Sequence, residues 1–239
     1  MKARLPRITR VGCVPKRHVR ELTADSDSAL PRATLRHWSS WKDLVVVLCL
    51  VLLAGVLRLA GLERVPPGLH FDEAYDALDG LRVLAGEHRM FFEGNFGREP
   101  LFMYLLAGAF SLFGASPAVI RAVSASAGTL AVPLTYGIGR QLFPRKPWLA
   151  VTAGFIQAVL PWDLHFSRYG IRVELLPLLG SAAVFCLLLA WRRGRWQWSA
   201  VSGACLGLAL YGYMAARFLP FVFLLWAPLA LGQRQGRVF

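Results

Sequence analysis

The feature that most constrains this chain is a series of apolar runs near bilayer length, separated by short loops rich in Lys and Arg. They cover residues 44–62, 118–139, 148–166, 175–191, 198–216 and 218–231, with a shorter run at 101–113. At 1.5 Å rise per residue, about 19 residues cross a hydrocarbon core of roughly 30 Å. Backbone polar groups find no partner in lipid, so such runs must be helical or belong to a closed barrel. The composition, 56% hydrophobic and 17% charged, argues against a soluble domain. The sequence therefore predicts an all-α polytopic membrane helical bundle. Run 101–113 is too short to cross and reads as an interfacial or re-entrant helix.

Charge sets the expected orientation. Residues 1–42 hold ten Lys and Arg against three acids, so 1–43 is expected to be a disordered basic tail on the cytoplasmic side. A cleaved signal peptide is not expected, because the first apolar run starts too far in and is too long. If 101–113 does not cross, the basic clusters 140–146, 192–195 and 234–237 all share the side of the tail, as loop-charge bias demands. Arg58, the one charge of run 44–62, is placed to snorkel. The net charge of +13 is thus explained by membrane topology. No basic groove with interleaved aromatics points to nucleic acid. Cys49, Cys186 and Cys205 lie in apolar runs and Cys13 in the tail, which suggests neither a disulfide frame nor a metal spacing.

The same topology places the acids together outside. Of fourteen Asp and Glu, eight lie within 63–99, and Asp163 and Glu174 flank one later loop on the same expected face. Residues 71–85 read as an amphipathic helix on the outer-face loop 63–117. Asp72, Asp76 and Asp79 share one face, expected to look toward water with Asp72 as N-cap, while Phe71, Ala74, Tyr75, Leu78 and Leu81 form an apolar face toward the membrane. Glu174, at the mouth of an apolar run, is either a functional acid or half of an ion pair with Arg168 or Arg172. Trp148, Trp162, Trp191, Trp196 and Trp198 sit at span ends, as an interfacial belt would.

Several segments in order resemble a known family: the Asp72-Glu73 pair after a first span, Gly97-Arg98-Glu99-Pro100-Leu101-Phe102-Met103-Tyr104-Leu105, the Leu112-Phe113-Gly114 close, Gly139-Arg140-Gln141-Leu142-Phe143, and Ser167-Arg168-Tyr169-Gly170-Ile171-Arg172-Val173-Glu174. Over roughly residues 44–231 the chain resembles the membrane glycosyltransferases of the C superfamily. More narrowly, it is similar to the protein mannosyltransferases and aminoarabinose transferases grouped as glycosyltransferase family 39. The resemblance implies a polyprenyl-phosphate sugar as donor, a glycan, lipid or protein as acceptor, and chemistry on the outer face of the cell membrane. It also implies that the chain is an N-terminal fragment, lacking the later spans of its relatives.

Carried over by the resemblance, Asp72 is the general base and Glu73 its neighbour, orienting it or helping to bind a divalent cation. A divalent cation is thus possible, its ligands are left open, and no other cofactor is implied. Glu174 stands where relatives place a second acid, although its spacing from Tyr169 is one residue longer. Arg98, Arg172 and Arg217 are the candidates for the donor phosphate, a role suited to a guanidinium. Glu99, His165 and Asp76 complete the candidate set, with His165 equally readable as an interfacial histidine and Glu99 as a charge favouring a helix start. Two alternatives stand beside the enzyme: a transporter, which shares the composition but ordinarily buries its charges at mid-membrane, and a truncated, non-catalytic glycosyltransferase-like protein.

Overall fold

A computed structural model describes residues 41–225. Residues 1–40 of the expected tail and the end of the last expected span lie outside these residues, while Trp41, Lys42 and Asp43, expected as the end of the tail, are helical. All described elements belong to one unit, Ser40–Phe239, and the other unit is Met1–Ser39. They form an all-α membrane helical bundle: α1 (Trp41–Leu59), α2 (Phe71–Leu84), α3 (Leu101–Phe113), α4 (Pro117–Leu142), α5 (Pro147–Val159), α6 (Pro161–Arg168), α7 (Leu175–Arg193) and α8 (Trp196–Leu210). Short 3-10 turns at Arg172–Glu174 and Met214–Phe218 join them. Among the described residues, two helical stretches are long and apolar enough to cross a membrane, Pro117–Leu142 and Arg172–Arg193. Leu101–Phe113, Pro147–Val159 and Met214–Leu225 are shorter apolar helices.

Prolines set several boundaries. Pro117, Pro147 and Pro161 each open a helix, where the missing N–H leaves no bond unmade. Pro161 also divides the run 148–166, expected as one span, into α5 and α6. Leu160 before it is extended (φ −59°, ψ 121°), as a residue preceding proline prefers. The run 198–216 likewise ends as an α-helix at Leu210 and turns through Tyr211 and Gly212 into the 3-10 turn, glycine being a poor helix former.

Contacts order the two ends of the bundle. At one end Asp43 of α1 accepts from Tyr136 and, at 3.0 Å, from Arg140 Nε, both of α4. At the other end Arg121 of α4 donates to the Leu62 carbonyl just beyond α1 at 2.8 Å. The helices α1 and α4 are therefore antiparallel, and residues 63–117 leave and return at the same end. Helix α3, about 20 Å long, does not carry the chain across. It buries Phe102, Met103, Leu106, Ala107 and Phe110, and its Leu106 and Phe110 pack at Gly80 of α2. Arg192 of α7 bonds the Gln141 carbonyl at the Asp43 end, and the Leu101 N–H bonds the Tyr211 carbonyl at the other.

Arg58 does not snorkel. It is fully buried, donates to the carbonyls of Ala158 and Gln157 at 2.9 Å each, and pairs with Asp163 of α6. The reason is that α5 and α6 converge on the last turn of α1 and present two carbonyls and a carboxylate to the guanidinium, which is a better partner set than headgroups reached past packed helices.

Candidate active site

The site grows from the start of α2. His70, not Asp72, caps this helix: its Nδ1 accepts the Asp72 N–H at 3.3 Å while Glu73 Oε2 accepts the His70 N–H at 2.8 Å, a reciprocal capping box. Glu73 at the third helical position can reach back to the cap, whereas Asp72 at the second cannot cap itself. Glu73 is also fully enclosed. Its Oε1 accepts from Arg121 Nε and from the Gly170 N–H, both at 2.9 Å, and Arg121 Nη2 lies 3.2 Å from its Oε2. Burial pushes the Glu73 carboxyl upward, but the bonds from Arg121, Gly170 and His70 outweigh it and hold its pKa below the usual value. Gly170 must be glycine for this, since a β-carbon there would sit 3.1 Å from the Arg121 backbone nitrogen and run into Ile120.

The acidic face of α2 points inward, opposite to expectation. Asp76 and Asp79 are buried, while Phe71, Tyr75, Leu78, Leu81 and Leu84 are exposed on the protein surface. The cause is a set of arginines supplied by other segments. Arg98, itself fully buried, donates to Asp76 Oδ1 at 2.6 Å and to Asp79, and Arg82 bonds Asp79 at 2.8 Å. Arg172 lies 3.6 Å from Asp76 and 4.0 Å from Glu99, and Arg217 lies 3.5 Å from Glu99. Carboxylates and guanidiniums thus alternate across α2, the start of α3 and both 3-10 turns. Burial pushes the Asp76 pKa up to about 6 against the pull of Arg98 and Arg172, with the Asp72 charge adding to the rise. Among the described residues, Asp76 Oδ2 and Arg172 Nε have no hydrogen-bond partner.

Asp72 differs from its neighbours in being accessible, with a third of its side chain (32%) exposed. Its Oδ1 accepts from Asn95 Nδ2, and its Oδ2 lies 3.7 Å from His70 Nδ1. His70 meets Tyr169 edge-on at 5.7 Å, and Tyr169 lies 4.6 Å from the exposed His165. His165 also packs near Phe166 and Trp162.

Of the second acidic pair, Asp163 is bound to Arg58 and accepts from Gln157 Nε2 at 2.7 Å. Glu174 pairs with neither Arg168 nor Arg172. Arg168 instead donates to the carbonyls of Leu57, Arg58, Ala60 and Val65, closing the end of α1, and Arg172 turns to Asp76. Glu174 is buried against Gly128, where Arg58 Nε also comes close. Both Glu174 Oε2 and Arg58 Nε lack a hydrogen-bond partner among the described residues.

The residues do not fit a divalent cation. Among the described residues no three His, Cys, Asp or Glu side chains form a metal-holding group. On α2, Glu73 is committed to Arg121 and both Asp76 and Asp79 to Arg98, which leaves Asp72 with His70 beside it.

The family model for dolichyl-phosphate-mannose-protein mannosyltransferases matches residues 98–237, more than half of the chain. The chain belongs to this family. It is accordingly a membrane protein of glycosyltransferase type. Neither the curated proteins nor the solved structures gave a match. The family match takes in Arg98, Glu99, His165, Arg172, Glu174 and Arg217, and Asp72, Glu73 and Asp76 precede it. Sequence reasoning missed Arg121 and Asn95, read Arg58 only as a snorkelling charge, and took Asp79 only as part of the acidic face of α2. A signal existed for Arg121, the sole charge of the run 118–139. None existed for Asn95, whose partner is 23 residues away.

Proposed function

We propose that this chain is a multi-pass enzyme of the cell membrane that transfers a sugar from a polyprenyl-phosphate donor to an acceptor hydroxyl on the extracytoplasmic face. The observation that carries this reading is the placement of an accessible carboxylate, Asp72, at the same end of the bundle as two cations gathered around Glu99. Asp72 takes the proton of the acceptor hydroxyl. The freed oxygen pair attacks the anomeric carbon, and the carbon–oxygen bond to phosphate breaks with its electron pair on the departing lipid phosphate. Direct displacement inverts the anomeric centre.

Burial divides the three candidate arginines. Arg98 has its donors on Asp76, Asp79 and the Gly94 carbonyl and is inaccessible, so it holds the scaffold. Arg217 is 62% exposed and Arg172 partly so; these two suit the phosphate, with Glu99 aiming both. Glu73 organises the helix start, and Asp76 sets the position of Arg172. Glu174 acts from within the bundle beside Arg58, and His165 lies on the rim, toward the acceptor. An open apolar cavity of about 1000 Å³, lined by Leu105, Ala109, Val119, Val123, Leu175 and Leu178 among others, suits the isoprenoid chain.

The test is transfer from a radiolabelled polyprenyl-phosphate sugar in membranes carrying the chain. Asp72→Asn should lower turnover by roughly 10²- to 10⁴-fold, and Arg217→Ala should lower it as well. Equal turnover in wild type and both variants overturns the assignments, and no transfer by folded wild type overturns the reading.

A further inference from the structure

We propose that Asn95 is a positioning residue for Asp72, held in place by a hairpin that Arg98 clamps to the same helix. The inference rests on Asp72 being the base. Residues 92–98 form a tight hairpin closed by an antiparallel bridge, with the Phe92 N–H on the Arg98 carbonyl at 3.0 Å and the Arg98 N–H on the Phe92 carbonyl at 2.8 Å. The Arg98 side chain then binds in two directions. Its Nε donates to the Gly94 carbonyl at 3.2 Å, inside the hairpin, and its amino groups reach Asp76 and Asp79, one and two turns along α2 from Asp72. The hairpin tip and the start of α2 are thereby fixed relative to each other by a fully buried cation.

At that tip Asn95 and Phe96 both adopt left-handed backbone, φ 50° and 66°. Asn tolerates this region, but Phe there is a true outlier, and two in succession are disfavoured for residues with a β-carbon. Such conformations persist where surrounding structure over-determines them, and they cluster at functional sites. Here the consequence is specific. An Asn in this conformation ordinarily bonds its own turn, yet Asn95 Nδ2 donates to Asp72 Oδ1, across to another element. One carboxylate oxygen is fixed, the rotation of the group is fixed with it, and Oδ2 on the His70 side is left to take the acceptor proton. Phe96, the residue after Asn95, has a wholly exposed ring.

The experiment compares two variants in the transfer assay, with thermal unfolding measured alongside. Asn95→Gly keeps the left-handed backbone at no steric cost and removes only the amide. Asn95→Asp keeps the shape but sets a carboxylate against Asp72. Both should lower kcat by roughly ten- to a hundred-fold, with KM for the lipid donor unchanged and, for Asn95→Gly, the unfolding temperature unchanged as well. A variant that melts earlier but turns over at the wild-type kcat per folded enzyme assigns Asn95 to structure alone and overturns the inference. Should Asn95→Gly fail to fold, the isosteric Asn95→Asp decides by the same criterion. Failure of the underlying reading is distinguishable: Asp72→Asn at wild-type turnover removes the base itself, whereas an inactive Asp72→Asn with a fully active Asn95→Gly removes only Asn95.

Discussion

Asp76 is an acid whose surroundings make a demand on pH. It is enclosed between Arg98 and Arg172, one oxygen has no hydrogen-bond partner among the described residues, and burial pushes its pKa up from 3.8 to about 6. The folded chain therefore binds this proton more tightly than the unfolded chain does. The contribution of the group to stability is fully present below about 4 and is lost as pH rises through about 6. Asp76→Asn removes this titration while keeping the shape. The unfolding temperature of wild type minus that of Asp76→Asn should fall as pH is raised across this window and stay level above it. A difference that instead grows with pH would mean that attraction to the two arginines outweighs the burial of the charge.

At the scale of elements, helix α2 shows what periodicity can and cannot reveal. The spacing of Asp72, Asp76 and Asp79 places them on one face by helical geometry alone, and the structure keeps them there. Which face is buried depends on partners that periodicity does not contain: Arg98, 22 residues after Asp76, Arg121 in α4 and Arg172 after α6. Composition likewise gave the helical, membrane-type class, because apolar runs need no partner to be recognised, whereas the Arg58–Asp163 pair needed the approach of α5 and α6 to α1. Arg121 is the sharpest case, since a lone cation in an apolar run signals a buried partner without naming it. That partner is Glu73, and the pair docks the start of α2, the α1–α2 loop through the Leu62 and Pro66 carbonyls, and Gly170 onto α4. Arg121→Met leaves Glu73 buried and uncompensated, which costs about 3–5 kcal/mol. In detergent the variant should melt well below wild type, and the double variant with Glu73→Gln should recover part of the loss. Equal loss in both would place the role of Arg121 in its carbonyl contacts.

For the whole molecule, the bonds between helix ends sort every loop onto one of two faces. Asp43 with Arg140, and Arg192 with the Gln141 carbonyl, mark one end, where the basic loops 140–146 and 192–195 collect. Arg121 with the Leu62 carbonyl, Glu73 with Gly170, and Leu101 with Tyr211 mark the other, where the carboxylates gather. The sorting uses hydrogen bonds alone, and it agrees with the division that loop charge suggests independently. In a bilayer, the basic end should stay with the cytoplasm, and the acidic end should meet the donor sugar outside. Single cysteines at Met90 and Arg145, in a chain whose four native cysteines are replaced, test this directly. A membrane-impermeant thiol reagent applied to intact cells should label Met90→Cys and spare Arg145→Cys until the membrane is opened. Labelling of Arg145→Cys alone would invert the molecule and put Asp72 on the cytoplasmic face. Labelling of both from outside would mean that the two ends do not lie across a bilayer, and the assignment of the carboxylate end to an extracytoplasmic reaction would fall with it.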